Sequence, residues 1–312
     1  MARRVSPVQI YACLAFVVAI VAAGKKECDQ SKCPGPLAYY KSLHCTPVYK
    51  NKGDCCAIKY NCDHLKIRSP DKCYVNDNVY EIGDKLKPED ANPCDIGCTC
   101  SRGYDNVATF VCAVVDCFFK PIYSNPTNPT TNYCYKRNDP TKCCGGSEEV
   151  CPKTPEDRAT CIVDGVTYKD GEYFNVKDKS ELTCVCRPGY KGKNVEPFCI
   201  KPKRSYCSPD FRGAGNIYHN CAPVYGSSEL PQANCTFDMR CQNDKDIVIR
   251  KHDNLKFDEA PNEANMCLFG NLKMHVGDQL KQDTDFSSKC VKCICEVPPI
   301  PTCQRMPYDE CD

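Results

Sequence analysis

The sequence predicts a small disulfide-rich, mostly β fold, made of tandem modules of short hairpins and loops strung into an elongated chain. Three observations lead there. There are 31 cysteines in 312 residues, a density typical of a cross-linked scaffold. One pattern of Cys, Gly and acidic residues returns three times in register. Tryptophan is absent, and apolar residues fall in short runs instead of long periodic faces, so several small cores are expected instead of a single large one.

At the amino end, Arg3 and Arg4 precede an apolar stretch over 10–23 and small residues at Val21 and Ala23, before Lys25-Lys26-Glu27. This is the layout of a secretory signal peptide, 1–23, cut after Ala23. The apolar run is about 14 residues where a bilayer span takes roughly 20, which disfavours an anchor. No later stretch reads as a membrane span, so the mature chain is expected to be secreted and extracellular. Cys13 leaves with the leader and an even number of cysteines remains. Secretion suits them, because an oxidising route closes thiols into bridges, whereas a thiolate metal store belongs to a reducing compartment. Basic and acidic residues balance, 41 against 40, leaving no net field to attract nucleic acid.

The repeat reads Cys73, Tyr80, Gly83, Asp84, Leu86; Cys161, Tyr168, Gly171, Glu172, Phe174; and Cys267, Met274, Gly277, Asp278, Leu280. Each copy runs on to a C-x-C pair, Cys98 and Cys100, Cys184 and Cys186, Cys293 and Cys295. Two further cysteines follow: Cys112 and Cys117, Cys199 and Cys207, Cys303 and Cys311. We term this the first half. A second half, a lone Cys, a Cys-Cys pair and one more Cys, occurs at Cys45, Cys55, Cys56, Cys62 and at Cys134, Cys143, Cys144, Cys151. A weaker copy lies at Cys221, Cys235, Cys241, with Asn234 at the first place of the pair.

This order resembles the von Willebrand factor type C module of chordin-like and kielin-like proteins, over nearly all of the mature chain. It divides the chain into a partial second half (24–72), a complete module (73–151), a nearly complete one (161–241) and a closing first half (267–312). Two departures stand out. Leu86, Phe174 and Leu280 occupy the place of the family's usual Trp, and the final Cys is more widely spaced after the Cys-Cys pair.

Locally, 80–86 reads as strand, glycine turn, strand. The segments 107–115 and 247–249 read as further strands, and 121–131, with Pro121, Pro126 and Pro129, as an extended hinge. Little helix is expected.

The 161–241 copy lacks the counterparts of Cys94 and Cys143 together. Loss of one partner alone would strand a thiol, so the paired loss predicts a Cys94–Cys143 bridge. The family resemblance implies the same bridge and also Cys73–Cys100, Cys98–Cys112, Cys117–Cys144 and Cys134–Cys151, each worth about 2–4 kcal/mol in so small a unit. Cys28, Cys55, Cys290 and Cys311 lack family partners. Local pairing is the simpler expectation, and a bridge between the two ends or between two chains is the alternative.

His44, His64, His219, His252 and His275 share no short spacing, and no hydrolase or metalloprotease motif occurs, so no catalytic residue, cofactor or metal is expected. Asn234-Cys235-Thr236 is a glycosylation sequon. The resemblance implies an extracellular protein ligand, a growth factor of the transforming growth factor β and bone morphogenetic protein class or a matrix component, held by exposed residues of a first half. Tyr74, Val75, Val79 and Ile82 are the contact candidates, while Tyr80 and Leu86 are expected to fill the module's own core. A small-module protease inhibitor, suggested by the loops after Cys98 and Cys184, and a purely structural matrix or secreted-fluid component are the alternatives.

Overall fold

A computed structural model describes residues 28–117, 133–146, 148–177, 179, 181–205, 207–250 and 265–311. The expected signal peptide and the 121–131 hinge lie outside these residues. Every cysteine from Cys28 to Cys311 is paired, in fifteen bridges. The described chain is mostly β, in strands of two to four residues that chiefly form hairpins. No helix among the described residues is long and apolar enough to cross a membrane.

The three first halves are built alike. Each opens with a hairpin in which the leading cysteine faces the residue seven places on: Cys73 opposite Tyr80, Cys161 opposite Tyr168, Cys267 opposite Met274. Each then closes with two bridges, Cys73–Cys100 and Cys98–Cys112, Cys161–Cys186 and Cys184–Cys199, Cys267–Cys295 and Cys293–Cys303. The hairpin lies one turn earlier than the sequence reading placed it. It joins Lys72–Val75 to Asn78–Glu81 through Asn76, at φ 51°, and Asn is among the few side chains that accept such angles. The Gly83 turn comes next and returns the chain to the C-x-C strand through the Lys85–Thr99 bridge. The expected strands at 107–115 and 247–249 are present in shortened form as Ala108–Val111 and Val248–Ile249.

Two second halves pair a short helix with a hairpin. Helix α1 (Leu37–Ser42) precedes Thr46–Val48 and Lys59–Asn61; α2 (Asp63–Lys66) follows it, and α3 (Pro209–Tyr218) precedes Ala222–Tyr225 and Asp238–Arg240. Pro209 starts α3 where its missing N–H costs nothing. Phe211 and Gly215, four apart and so on one face, are its buried residues. The middle second half contributes the hairpin Tyr135–Arg137 with Glu148–Val150.

The expected elongated string is corrected by how these units pack, because the chain folds back and its two ends meet. The Tyr40 hydroxyl donates to the Val297 carbonyl at 2.7 Å and accepts from the Ile300 N–H at 3.1 Å. Tyr60 N–H donates to the Pro298 carbonyl at 2.8 Å, and Gly35 N–H to the Glu296 carboxylate at 3.0 Å. Tyr39, Tyr40, Leu43 and Val297 share one buried cluster. Small stapled units leave apolar faces that their own cores cannot cover, and each second half buries such a face against a neighbour. The hairpin Tyr135–Arg137 grips the next first half through Asp170. Phe211 of α3 stacks on Phe110 at 4.8 Å. Ala222–Tyr225 runs parallel to Thr302–Arg305 and makes one six-stranded sheet with the last first half.

Candidate interaction surface

The glycine and acidic residue of the repeat have a common geometric role in all three copies. The glycines adopt positive φ, 99° at Gly83, 89° at Gly171 and 95° at Gly277, a region that suits residues without a Cβ. Their N–H groups donate to the carbonyl of the second C-x-C cysteine: Gly83 to Cys100 at 2.9 Å, Gly171 to Cys186 and Gly277 to Cys295 at 2.8 Å. That cysteine's N–H in turn donates to the carbonyl of Asp84, Glu172 or Asp278. The acidic side chains fold back onto the turn, accepting from the N–H of Glu81, Lys169 and His275, each at 2.8 Å. The turn, the bridge and the carboxylate therefore lock the hairpin to the C-x-C strand three times over.

On the first hairpin, strand alternation sends Cys73, Val75 and Tyr80 inward, 1%, 3% and 3% exposed. Val75, expected as a contact, is corrected to a core residue; it lies two places from an inward cysteine and therefore on the same face. Val79 and Ile82 are 54% and 42% exposed. Tyr74 faces the other way and is partly covered. Its hydroxyl accepts from the Ser69 N–H at 2.8 Å and its ring lies 5.0 Å from the Arg68 guanidinium. Tyr80 belongs to the buried cluster and Leu86 packs against it.

Beneath the hairpin, the Tyr80 hydroxyl donates to Asp90, whose carboxylate also accepts from Asn76 at 2.7 Å and Asn78 at 2.9 Å. Burial, reinforced by the Asp90 hydrogen bond, pushes the Tyr80 phenol up to about 12. This network fixes the hairpin from within. At the same place the other two copies have Asp178 and Thr284, and neither has counterparts of both Asn76 and Asn78, so the repeat did not announce this network.

The outward faces of the other hairpins carry apolar side chains as well: Ile162 at 70% and Val166 at 52% exposed, and Val276 at 55% beside Gly277. Tyr104, in the loop after the first C-x-C, stands fully in solvent. Its loop is closed by Gly103 N–H donating to the Val107 carbonyl at 2.9 Å.

The bridges are Cys73–Cys100, Cys94–Cys143, Cys98–Cys112, Cys117–Cys144 and Cys134–Cys151 in the 73–151 segment. At the ends, Cys28 pairs with Cys55 and Cys290 with Cys311. The densest sulfur group, Cys94, Cys117, Cys143 and Cys144, is thus two bridges and not four thiolates. In 161–241, Cys207–Cys235 ties the last cysteine of the first half to the second half, and Cys221–Cys241 closes the second half. Asn234 is exposed, its side-chain oxygen accepting from the Leu230 N–H at 3.0 Å, while the Thr236 hydroxyl is held by Val224. Among the histidines, the His64 ring is hydrogen-bonded with the Leu43 carbonyl and His219 lies 3.7 Å from Asp105, both structural contacts.

These features define a class, a small disulfide-rich, mostly β protein whose exposed hairpins are anchored by bridges. No protein-family model, curated protein or solved structure matches the chain.

Proposed function

We propose that the chain is a secreted extracellular binding protein, built of units similar to von Willebrand factor type C modules, whose ligand is a growth factor of the transforming growth factor β and bone morphogenetic protein class. The observation that carries the reading is the pair Val79 and Ile82, two large apolar side chains held in water at 54% and 42% exposure. Their hairpin is fixed by the Cys73–Cys100 bridge and by Tyr80 on Asp90. A hairpin so fixed loses little conformational freedom on docking, and two apolar anchors are worth about 1.5–3 kcal/mol each when fully buried.

Surface binding of the intact mature chain to a panel of such growth factors tests it. Saturable binding is expected, weakened by Val79→Asp and Ile82→Asp with the bridges unchanged. Binding to none of them would remove this reading and leave the matrix component ahead, while inhibition of a serine protease by the intact chain would favour the inhibitor reading.

A further inference from the structure

Where the two ends of the chain meet α3 and the first hairpin, four segments enclose a cleft of about 350 Å³, within the range of small-molecule sites. Its walls are apolar: Leu43 and Leu65 from the amino-terminal unit, Ala214 and Ile217 from α3, Leu268 and Ile300 from the carboxyl-terminal unit. Tyr39 lines it too. That residue is 3% exposed, and its hydroxyl is not among the sealed polar atoms without a partner, which among the described residues are those of Tyr225, Arg240 and Thr302. The cleft therefore offers a phenol O–H that the acceptor group of a ligand can take in place of water.

The charges in the cleft set the ligand's own charge. Arg68 and Asp210 both line it and are paired with each other at 3.0 Å, at 23% and 15% side-chain exposure. Arg68 is further held over the Tyr74 ring. An anion would have to take Arg68 from Asp210, and a cation would have to take Asp210 from Arg68. Either leaves one half-buried charge without its partner, which is strongly unfavourable. Lys66 and Lys72 also line the cleft, and each has its own carboxylate, Asp63 and Glu81.

The geometry points to a binding site for a neutral, largely apolar small molecule carrying one carbonyl or comparable acceptor, seated on the aliphatic walls and hydrogen-bonded by the Tyr39 hydroxyl. Because residues of both chain ends form the walls, occupancy stabilises the closed arrangement of the units. The site is separate from Val79 and Ile82, neither of which lines it.

The probe is 6-propionyl-2-(dimethylamino)naphthalene, a neutral aromatic ketone whose emission shifts to the blue in apolar surroundings, titrated into the intact mature chain. Saturable binding at one site per chain is expected. Tyr39→Phe should weaken it about fivefold, the worth of one net hydrogen bond. Ala214→Phe, which fills the cleft from α3, should abolish it while Val79→Asp leaves it unchanged. The anionic 1-anilinonaphthalene-8-sulfonate should bind more weakly than the ketone. Absence of saturable binding, equal affinity in wild type and Tyr39→Phe, or tighter binding of the sulfonate would each overturn the assignment. Tyr39→Phe, which removes a single oxygen, keeps the test decisive if Ala214→Phe fails to fold.

Discussion

The α-carbon of Gly171 lies so close to Lys136 that a Cβ built on the glycine would collide with the Lys136 carbonyl oxygen. The contact joins the middle second half to the following first half. Gly83 occupies the same place in the repeat with nearly the same φ, and a Cβ there would meet nothing. The two positions separate backbone strain from steric contact. Gly83→Ala should cost about 1–2 kcal/mol, the price of a left-handed alanine. Gly171→Ala should cost clearly more, since backbone must move as well. Parallel thermal melts of the two variants check this; equal losses would mean that Gly171 does not hold the units together.

Asp170 is fully buried and receives the Tyr135 hydroxyl at 2.5 Å and the Arg137 guanidinium at 2.6–3.1 Å. The Asp170 hydrogen bond holds Arg137 even more firmly protonated than an ordinary arginine. Asp170→Asn removes the charge while keeping the shape, and should destabilise the 133–199 region by about 3 kcal/mol, as expected when one partner of a buried pair is neutralised. Hydrogen exchange should show the loss confined to that region, with 265–311 still protected.

Several phenols titrate late for a stated reason. Burial raises Tyr39, Tyr40, Tyr60, Tyr135, Tyr190 and Tyr225, and Tyr80 reaches about 12. A folded value above the unfolded one, about 10, means that the native state holds the proton more tightly. The stability this contributes is complete below about pH 10 and is lost as the pH rises towards 12. An ultraviolet titration should therefore show a second, late group of phenols that ionises only with alkaline unfolding. Tyr80→Phe should remove one phenol from that second group.

Much of this was legible from the cysteines. The Cys94–Cys143 bridge in the structure is the one that the paired absence of their counterparts in 161–241 points to, because a bridge is lost as a unit or not at all. The Gly-Asp/Glu repeat was visible, but its purpose, to clamp the second C-x-C cysteine, depends on hydrogen bonds between segments far apart in sequence. Val75 could have been placed inside from its spacing to Cys73 alone. The docking of Tyr40 onto Val297 and Ile300 had no local signal, since a tyrosine reaching carbonyls some 260 residues away leaves no periodicity behind. Helix α3 was hidden for another reason: its buried face is carried by Phe211 and Gly215, too few apolar residues to write a helical stripe.

Asn234 is exposed beside the Cys207–Cys235 bridge. If the chain passes through a secretory route, the sequon is accessible before that bridge closes. A mass decrease on glycosidase treatment, abolished by Asn234→Gln, is the expected outcome; identical masses before and after treatment would remove the modification.

The account rests on units that each close by their own bridges while the two ends of one chain pack together. Proteolysis of the unreduced mature protein followed by mass spectrometry of the linked peptides tests this most directly. It should recover Cys28 with Cys55, Cys290 with Cys311 and Cys94 with Cys143. A peptide joining Cys28 or Cys55 to Cys290 or Cys311, within one chain or between two, would contradict it.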